Sequence, residues 1–165
     1  MKKILSMIMI IAIPLALFGC GKKPEVPDDI NIRALSDAMI DGLEFGGELE
    51  ECPSDVAVSN YGLNENLCSE IIFYRAGSAV ADELAIFKAA NASAVPDIEK
   101  SVKDRIEYLN DGYSDYKPSE VPKIEKVLVK TVGNVVIMCI SESPYEKAEA
   151  IVTDYFTKAL KPYSE

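Results

Sequence analysis

Val135-Val136-Ile137-Met138-Cys139-Ile140 is an uninterrupted apolar run. It is too short for an amphipathic helix and apolar on both faces, which marks a buried β-strand. Lys126 to Val132, just before it, alternates between apolar and polar residues. Gly133-Asn134 separates the two segments. Two residues of this kind between strand patterns predict a tight hairpin, in which glycine tolerates a positive φ. The same grammar occurs earlier. Glu70-Ile71-Ile72-Phe73-Tyr74-Arg75 and Asp82-Glu83-Leu84-Ala85-Ile86-Phe87-Lys88 read as strands, and the loop at Gly77-Ser78 pairs them.

Helical periodicity fills the intervals. Ile32, Leu35, Met39 and Leu43 recur at spacings of three and four after Asp28-Asp29, and Gly46-Gly47 stops that pattern. A short helix is expected from Ser54 to Tyr61, within an otherwise mixed stretch from Glu48 to Leu67. A long helix begins near Ser93. Val95, Ile98, Val102, Ile106 and Leu109 form its buried stripe, and it must end before Pro118. Pro118 to Ile124 is a connector with a helical turn. Ser143-Pro144-Tyr145-Glu146 opens the last helix, with Ser143 expected as its cap, Pro144 at the first helical position and Glu146 completing a capping box. Ala148, Ile151, Val152, Tyr155, Phe156 and Ala159 form its inner stripe, and Pro162 ends it.

After the first helix the order is strand, strand, helix, strand, strand, helix. This predicts an α+β fold: a four-stranded antiparallel sheet made of two hairpin-plus-helix units, helices packed on one face, and an extra N-terminal helix. No residue-level repeat relates the two units.

The first residues belong to a different grammar. Lys2 and Lys3 precede an apolar stretch from Ile4 to Leu17, broken only by Ser6 and Pro14, which ends at Leu17-Phe18-Gly19-Cys20. A basic start, a short apolar core and a small residue before a cut are the marks of a secretory signal. Leu17, Gly19 and Cys20 complete a lipobox, with Phe18 bulkier than usual at its position. The run is shorter than the roughly 20 residues a membrane span needs. Residues 1–19 are therefore expected to be a lipoprotein signal peptide, Cys20 the lipidated first residue of the mature chain, 20–29 a polar tether with Pro24 and Pro27, and 30–165 one globular domain. Each buried methylene of an acyl chain contributes about 0.8 kcal/mol, so two or three chains anchor durably. The expected place is the outer, extracytoplasmic face of the cell membrane.

Charge and missing residue types exclude several functions. The formal charge is −10, and removing Lys2 and Lys3 with the signal takes it to −12. Such a surface disfavours nucleic acid, which binds clustered Lys and Arg, and anionic headgroups. The chain has no histidine, which removes Ser-His-Asp and Cys-His catalysis and the commonest zinc ligand. No glycine-rich phosphate loop follows a strand. No cofactor and no metal are expected.

Besides the lipidated Cys20, three cysteines remain after cleavage. Cys139 sits in the apolar run and reads as a small core residue. Cys52 and Cys68 form a possible disulfide, since exported chains can oxidise; both staying reduced is the equal alternative. Asp82-Glu83 is the best-placed carboxylate pair for acid/base work. Adjacent strand residues point to opposite faces, so salt-bridged or solvated acids are the expected reading. Glu48, Glu50, Glu51 and Asp55 form an acidic loop, and Asp111, Ser114 and Asp115 another, neither with calcium-loop spacing. Tyr108, Tyr113 and Tyr116 cluster near the end of the long helix. Aromatics on an exposed rim can stack on glycan rings, but packing in the core is expected here.

Several stretches together resemble a known family: Tyr61-Gly62-Leu63-Asn64; Ala81-Asp82-Glu83-Leu84-Ala85-Ile86-Phe87-Lys88; the charged helix from Pro96 to Tyr108; Tyr116-Lys117-Pro118-Ser119-Glu120 with Lys123-Ile124-Glu125; and Val129-Lys130-Thr131-Val132-Gly133-Asn134-Val135-Val136. From Ile30 to Leu160 the chain is similar to lipoproteins of low-GC Gram-positive bacteria that carry the domain of unknown function 4358. The resemblance implies export and lipidation, and no activity. The expected function is a non-catalytic binding or accessory module of the cell envelope, with another envelope protein or a small ligand as partner. The alternative is a carboxylate-dependent hydrolase acting on cell-wall material.

Overall fold

The structure is a computed structural model, and it describes residues 29–77 and 79–160. The expected signal peptide, Cys20 and the expected tether to residue 28 lie outside the described residues. Among the described residues no helix is long and apolar enough to cross a membrane.

Helix α1, Ile32–Gly42, is capped by Asn31, whose side chain accepts the Ala34 N–H at 3.0 Å. It is followed by β1, Leu49–Cys52, and α2, Ser54–Tyr61. Strands β2, Cys68–Ala76, and β3, Glu83–Ala89, form the first hairpin. Helix α3, Val95–Tyr116, runs for 22 residues, about 33 Å at 1.5 Å per residue. A 3-10 turn, Pro118–Glu120, and the single turn α4, Val121–Ile124, lead to β4, Leu128–Val132, β5, Val135–Ile140, and α5, Tyr145–Leu160. The β4–β5 turn is the two-residue hairpin read from the sequence. Gly133 has a φ of +57° and no non-glycine residue is positive among the described residues, the arrangement of a turn with glycine at its first central position.

The sheet has five strands, all antiparallel, in the order β1-β2-β3-β5-β4. The expected four-strand sheet thus gains β1. That strand carries Glu50 and Glu51 exposed at the sheet edge, so it lacks the apolar alternation that announces a strand. Charged residues on a short edge strand also keep other chains from pairing with it.

The expectation of helices on one face is also corrected, because the sheet is covered on both. Ile72, Leu84, Ile86, Ile137 and Cys139 pack with Leu35 and Met39 of α1 and Val152 and Phe156 of α5. On the other side Phe73, Ala85, Phe87, Val136 and Met138 pack with Tyr61 of α2 and Ile98 and Val102 of α3. The cause lies in the two central strands. All six residues of β5 and six of the seven in β3 are buried, and a strand apolar on both faces needs a layer on each.

Ser143 is not the cap it was expected to be. Its Oγ accepts the Glu44 N–H at 2.9 Å, a contact across 99 residues, while Pro144 O accepts the first α5 amides, from Lys147 and Ala148. Ser143 thereby pins the segment that follows α1.

Candidate functional site

Asp82 and Glu83 lie at the head of β3, flanked by β2 and β5. Both are buried, at 2% and 3% exposure. Strand alternation sends them to opposite faces, and each meets a different set of partners.

On one face Asp82 Oδ2 accepts two backbone N–H groups, from Gly46 at 2.7 Å and Gly47 at 3.1 Å. A Cβ on Gly46 would stand 2.7 Å from Glu142 Oε1 and 3.2 Å from Asp82 Oδ2. Asp82 Oδ1 lies 2.9 Å from Lys123 Nζ, an ion contact that lacks good hydrogen-bond geometry. The same ammonium is 2.8 Å from Glu120 Oε2 and 2.8 Å from Glu142 Oε1. Glu120 in turn accepts the Ala81 N–H at 3.0 Å and pairs with Lys117 at 3.1 Å. Burial alone would raise the Glu120 carboxyl. The Lys123, Ala81 and Lys117 contacts outweigh burial and hold it near about 2. Burial likewise works against the Lys123 charge, and its three carboxylates reverse that and raise its pKa.

On the other face Glu83 is clamped by Arg105 of α3. Arg105 Nε donates to Oε1 at 3.1 Å and Nη2 to Oε2 at 2.6 Å, a bidentate pair in which both residues are buried. The Tyr61 hydroxyl donates to Oε1 at 2.7 Å. Burial, then the Glu83 charge, pushes the Tyr61 phenol well up. The Arg105 guanidinium also stands 5.8 Å from the Tyr61 ring centre and 5.6 Å from that of Tyr108, within cation–π range.

The two acids are therefore partnered structural charges, as their strand positions implied. Each carboxylate is taken up by a cation and by N–H or O–H donors. Sequence reading missed the partners: Lys123, Glu120, Arg105, Tyr61 and Gly46. Arg105 had a signal. It stands three residues after Val102 and four before Leu109, inside the buried stripe, where a charged residue demands a buried partner. The stripe itself runs through Arg105, and Ile106 is only half-buried.

The tyrosine cluster departs from expectation. Tyr108 and Tyr116 are 70% and 72% exposed. Tyr113 is held by its hydroxyl, which donates to Val80 O at 2.6 Å. Charged neighbours give the reason. The helix face that carries Tyr108 also carries Asp97, Lys100 and Asp104, which no core accepts unpaired.

Cys52 and Cys68 do not come together. Cys52 sits opposite Phe73, five residues along β2 from Cys68, a span of about 17 Å, whereas bridged Cα atoms lie within about 7 Å. Both are free and half-buried. Burial pushes the Cys68 thiol to about 11 and the Cys139 thiol to about 12. The expected acidic loop is instead β1 and the start of α2, where Glu51 is bound to Arg33 at 2.7 Å and to the Tyr74 hydroxyl at 3.0 Å. Among the described residues no group of histidine, cysteine and acidic side chains is arranged to hold a metal ion.

The fold and its buried ion pairs define an α+β domain whose five-stranded antiparallel sheet lies between two helical layers. A family model described as a domain of unknown function, DUF4358, matches residues 46–141, more than half of the chain. The chain belongs to that family. The matched stretch runs from Gly46 to Ser141 and so contains Asp82, Glu83, Arg105, Glu120 and Lys123. No curated protein and no solved structure matches the chain.

Proposed function

We propose that this protein is a lipoprotein anchored through Cys20 at the outer face of the cytoplasmic membrane, and that its domain binds a partner or ligand without catalysing a reaction. The anchor rests on the N-terminal pattern of Lys2-Lys3, an apolar core and Leu17-Phe18-Gly19-Cys20. The observation that carries the non-catalytic reading is the fate of Asp82 and Glu83. The best-placed acids lie on opposite faces of one strand, and each is held by its own buried cation. A hydrolase of the two-carboxylate kind needs both acids on one substrate, so these two support that alternative least.

Labelling cells with a palmitate analogue tests the anchor. The wild-type chain should take the label and Cys20→Ala should not; an unlabelled wild-type chain would overturn it. Incubating the purified protein with peptidoglycan, peptides and simple esters tests the absence of turnover. Hydrolysis that disappears in Glu83→Gln, with the fold intact by circular dichroism, would promote the hydrolase.

A further inference from the structure

The C-terminal end of α2 and one face of α3 enclose an open groove of about 440 Å³, within the roughly 300–1,000 Å³ of small-ligand sites. Asp97, Ser101, Asp104 and Tyr108 recur along α3 at spacings of four, three and four, so they share one helical face. Asn60 and Gly62 of the α2 end stand across from them.

Two features of this groove point to one ligand chemistry. The first is Tyr108. Its ring is 70% exposed, yet the buried Arg105 guanidinium lies 5.6 Å from the ring centre. The guanidinium is itself fixed by its bidentate bond to Glu83. An exposed aromatic held this way offers a flat apolar surface at low ordering cost. The second is the charge balance. Lys100 is matched by Asp104 at 2.5 Å and Arg105 by Glu83, so the lining holds no cation in excess of its acids. Asp97 carries no ion pair among the described residues, and Ser101 adds a hydroxyl.

We infer that this groove is a binding subsite for a neutral saccharide ring. The C–H face of the sugar would lie on the Tyr108 ring. Its hydroxyls would donate to the Asp97 and Asp104 carboxylates and accept from Lys100 and Ser101. The lining disfavours a phosphate or carboxylate ligand, because its free charge is acidic. The inference deepens the proposed binding role and rests on it.

The test is calorimetry on the full-length protein in detergent, with the uncharged tetramers of N-acetylglucosamine and of glucose as probes. The chain has no tryptophan and 8 tyrosines, so quenching of tyrosine emission gives a second readout. Saturable binding of at least one tetramer is expected, weakened at least tenfold by Tyr108→Ala and largely kept by Tyr108→Phe. Tyr116→Ala, equally exposed but outside the groove, should bind like wild type. Both tyrosines are on the surface, so none of these variants threatens the fold. Binding of neither tetramer, or equal binding by Tyr108→Ala, would overturn the saccharide site. A protein that fails here but still crosslinks to a membrane protein loses this subsite and keeps the broader binding role.

Discussion

Lys123 Nζ lies 2.9 Å from Asp82 Oδ1, so a lysine on a single helical turn neutralises a carboxylate buried at the head of a central strand. Because the same ammonium also contacts Glu120 and Glu142, and Asp82 also holds the Gly46 and Gly47 amides, one cation ties four segments together. They are the loop after α1, the head of β3, the α3–β4 connector and the end of β5. Asp82 is thus part of an architectural joint.

Removing that cation should be costly. Lys123→Met leaves the buried Asp82 without its cation and Glu120 with Lys117 alone, and breaking a buried pair in this way typically costs about 3–5 kcal/mol. Urea unfolding should show an unfolding free energy lower by that amount, read from a lower midpoint at unchanged slope. A shift no larger than that of Lys100→Met, whose pair with Asp104 is on the surface, would mean the joint carries no load.

Acid should weaken the same joint. The Glu120 carboxyl is held near about 2, against 4.5 for an ordinary glutamate. A folded-state value below the unfolded one gives stability that is complete above the unfolded value and is lost as pH falls toward the folded one. Thermal midpoints should therefore decline between about pH 4.5 and 2. Glu120→Gln should start lower and decline less steeply over that window.

The Arg105–Glu83 pair allows a double-mutant cycle. Arg105→Met strands a buried carboxylate and should destabilise the domain by about 3–5 kcal/mol. Arg105→Met combined with Glu83→Gln should recover part of that loss, since the pair then disappears without leaving a buried charge. Additive losses would show that the two side chains are not coupled.

The thiols should react in order of access. Burial, only slightly offset by a Ser141 hydrogen bond, pushes Cys139 to about 12, which leaves almost no nucleophilic thiolate near neutrality. In native protein at pH 8, iodoacetamide should modify Cys52 first and Cys139 only after unfolding. Mass spectrometry of tryptic peptides reads this directly. Modification of Cys139 in the native state would mean that β5 is not central.

Met138 faces the α2–α3 side of β5 and is fully buried. Met138→Asp should prevent folding, because it buries an unpaired charge, while Asp111→Ala, at an exposed α3 position, should change stability by less than about 0.5 kcal/mol. Circular dichroism melts compare the two.

The sequence by itself determined the elements whose signal is local. The 3.6-residue stripes of α1, α3 and α5, the two hairpins and the Gly133-Asn134 turn were all legible, because periodicity and turn chemistry are written in neighbouring residues. It also fixed that Asp82 and Glu83 point apart, since strand alternation is local too. The cover on both sheet faces was implicit in Val135 to Ile140, apolar on either side, yet the expected layout placed helices on one. Tertiary structure decided what depends on distant partners. Strand β1 exists because Leu49 to Cys52 adds to the β2 edge, and its glutamates hide that from any pattern. Cys52 and Cys68 stay apart because of the β1–β2 register. The lysine and the arginine that neutralise the two acids come from 41 and 22 residues away, and only the folded chain brings a charge to a carboxylate over such a separation.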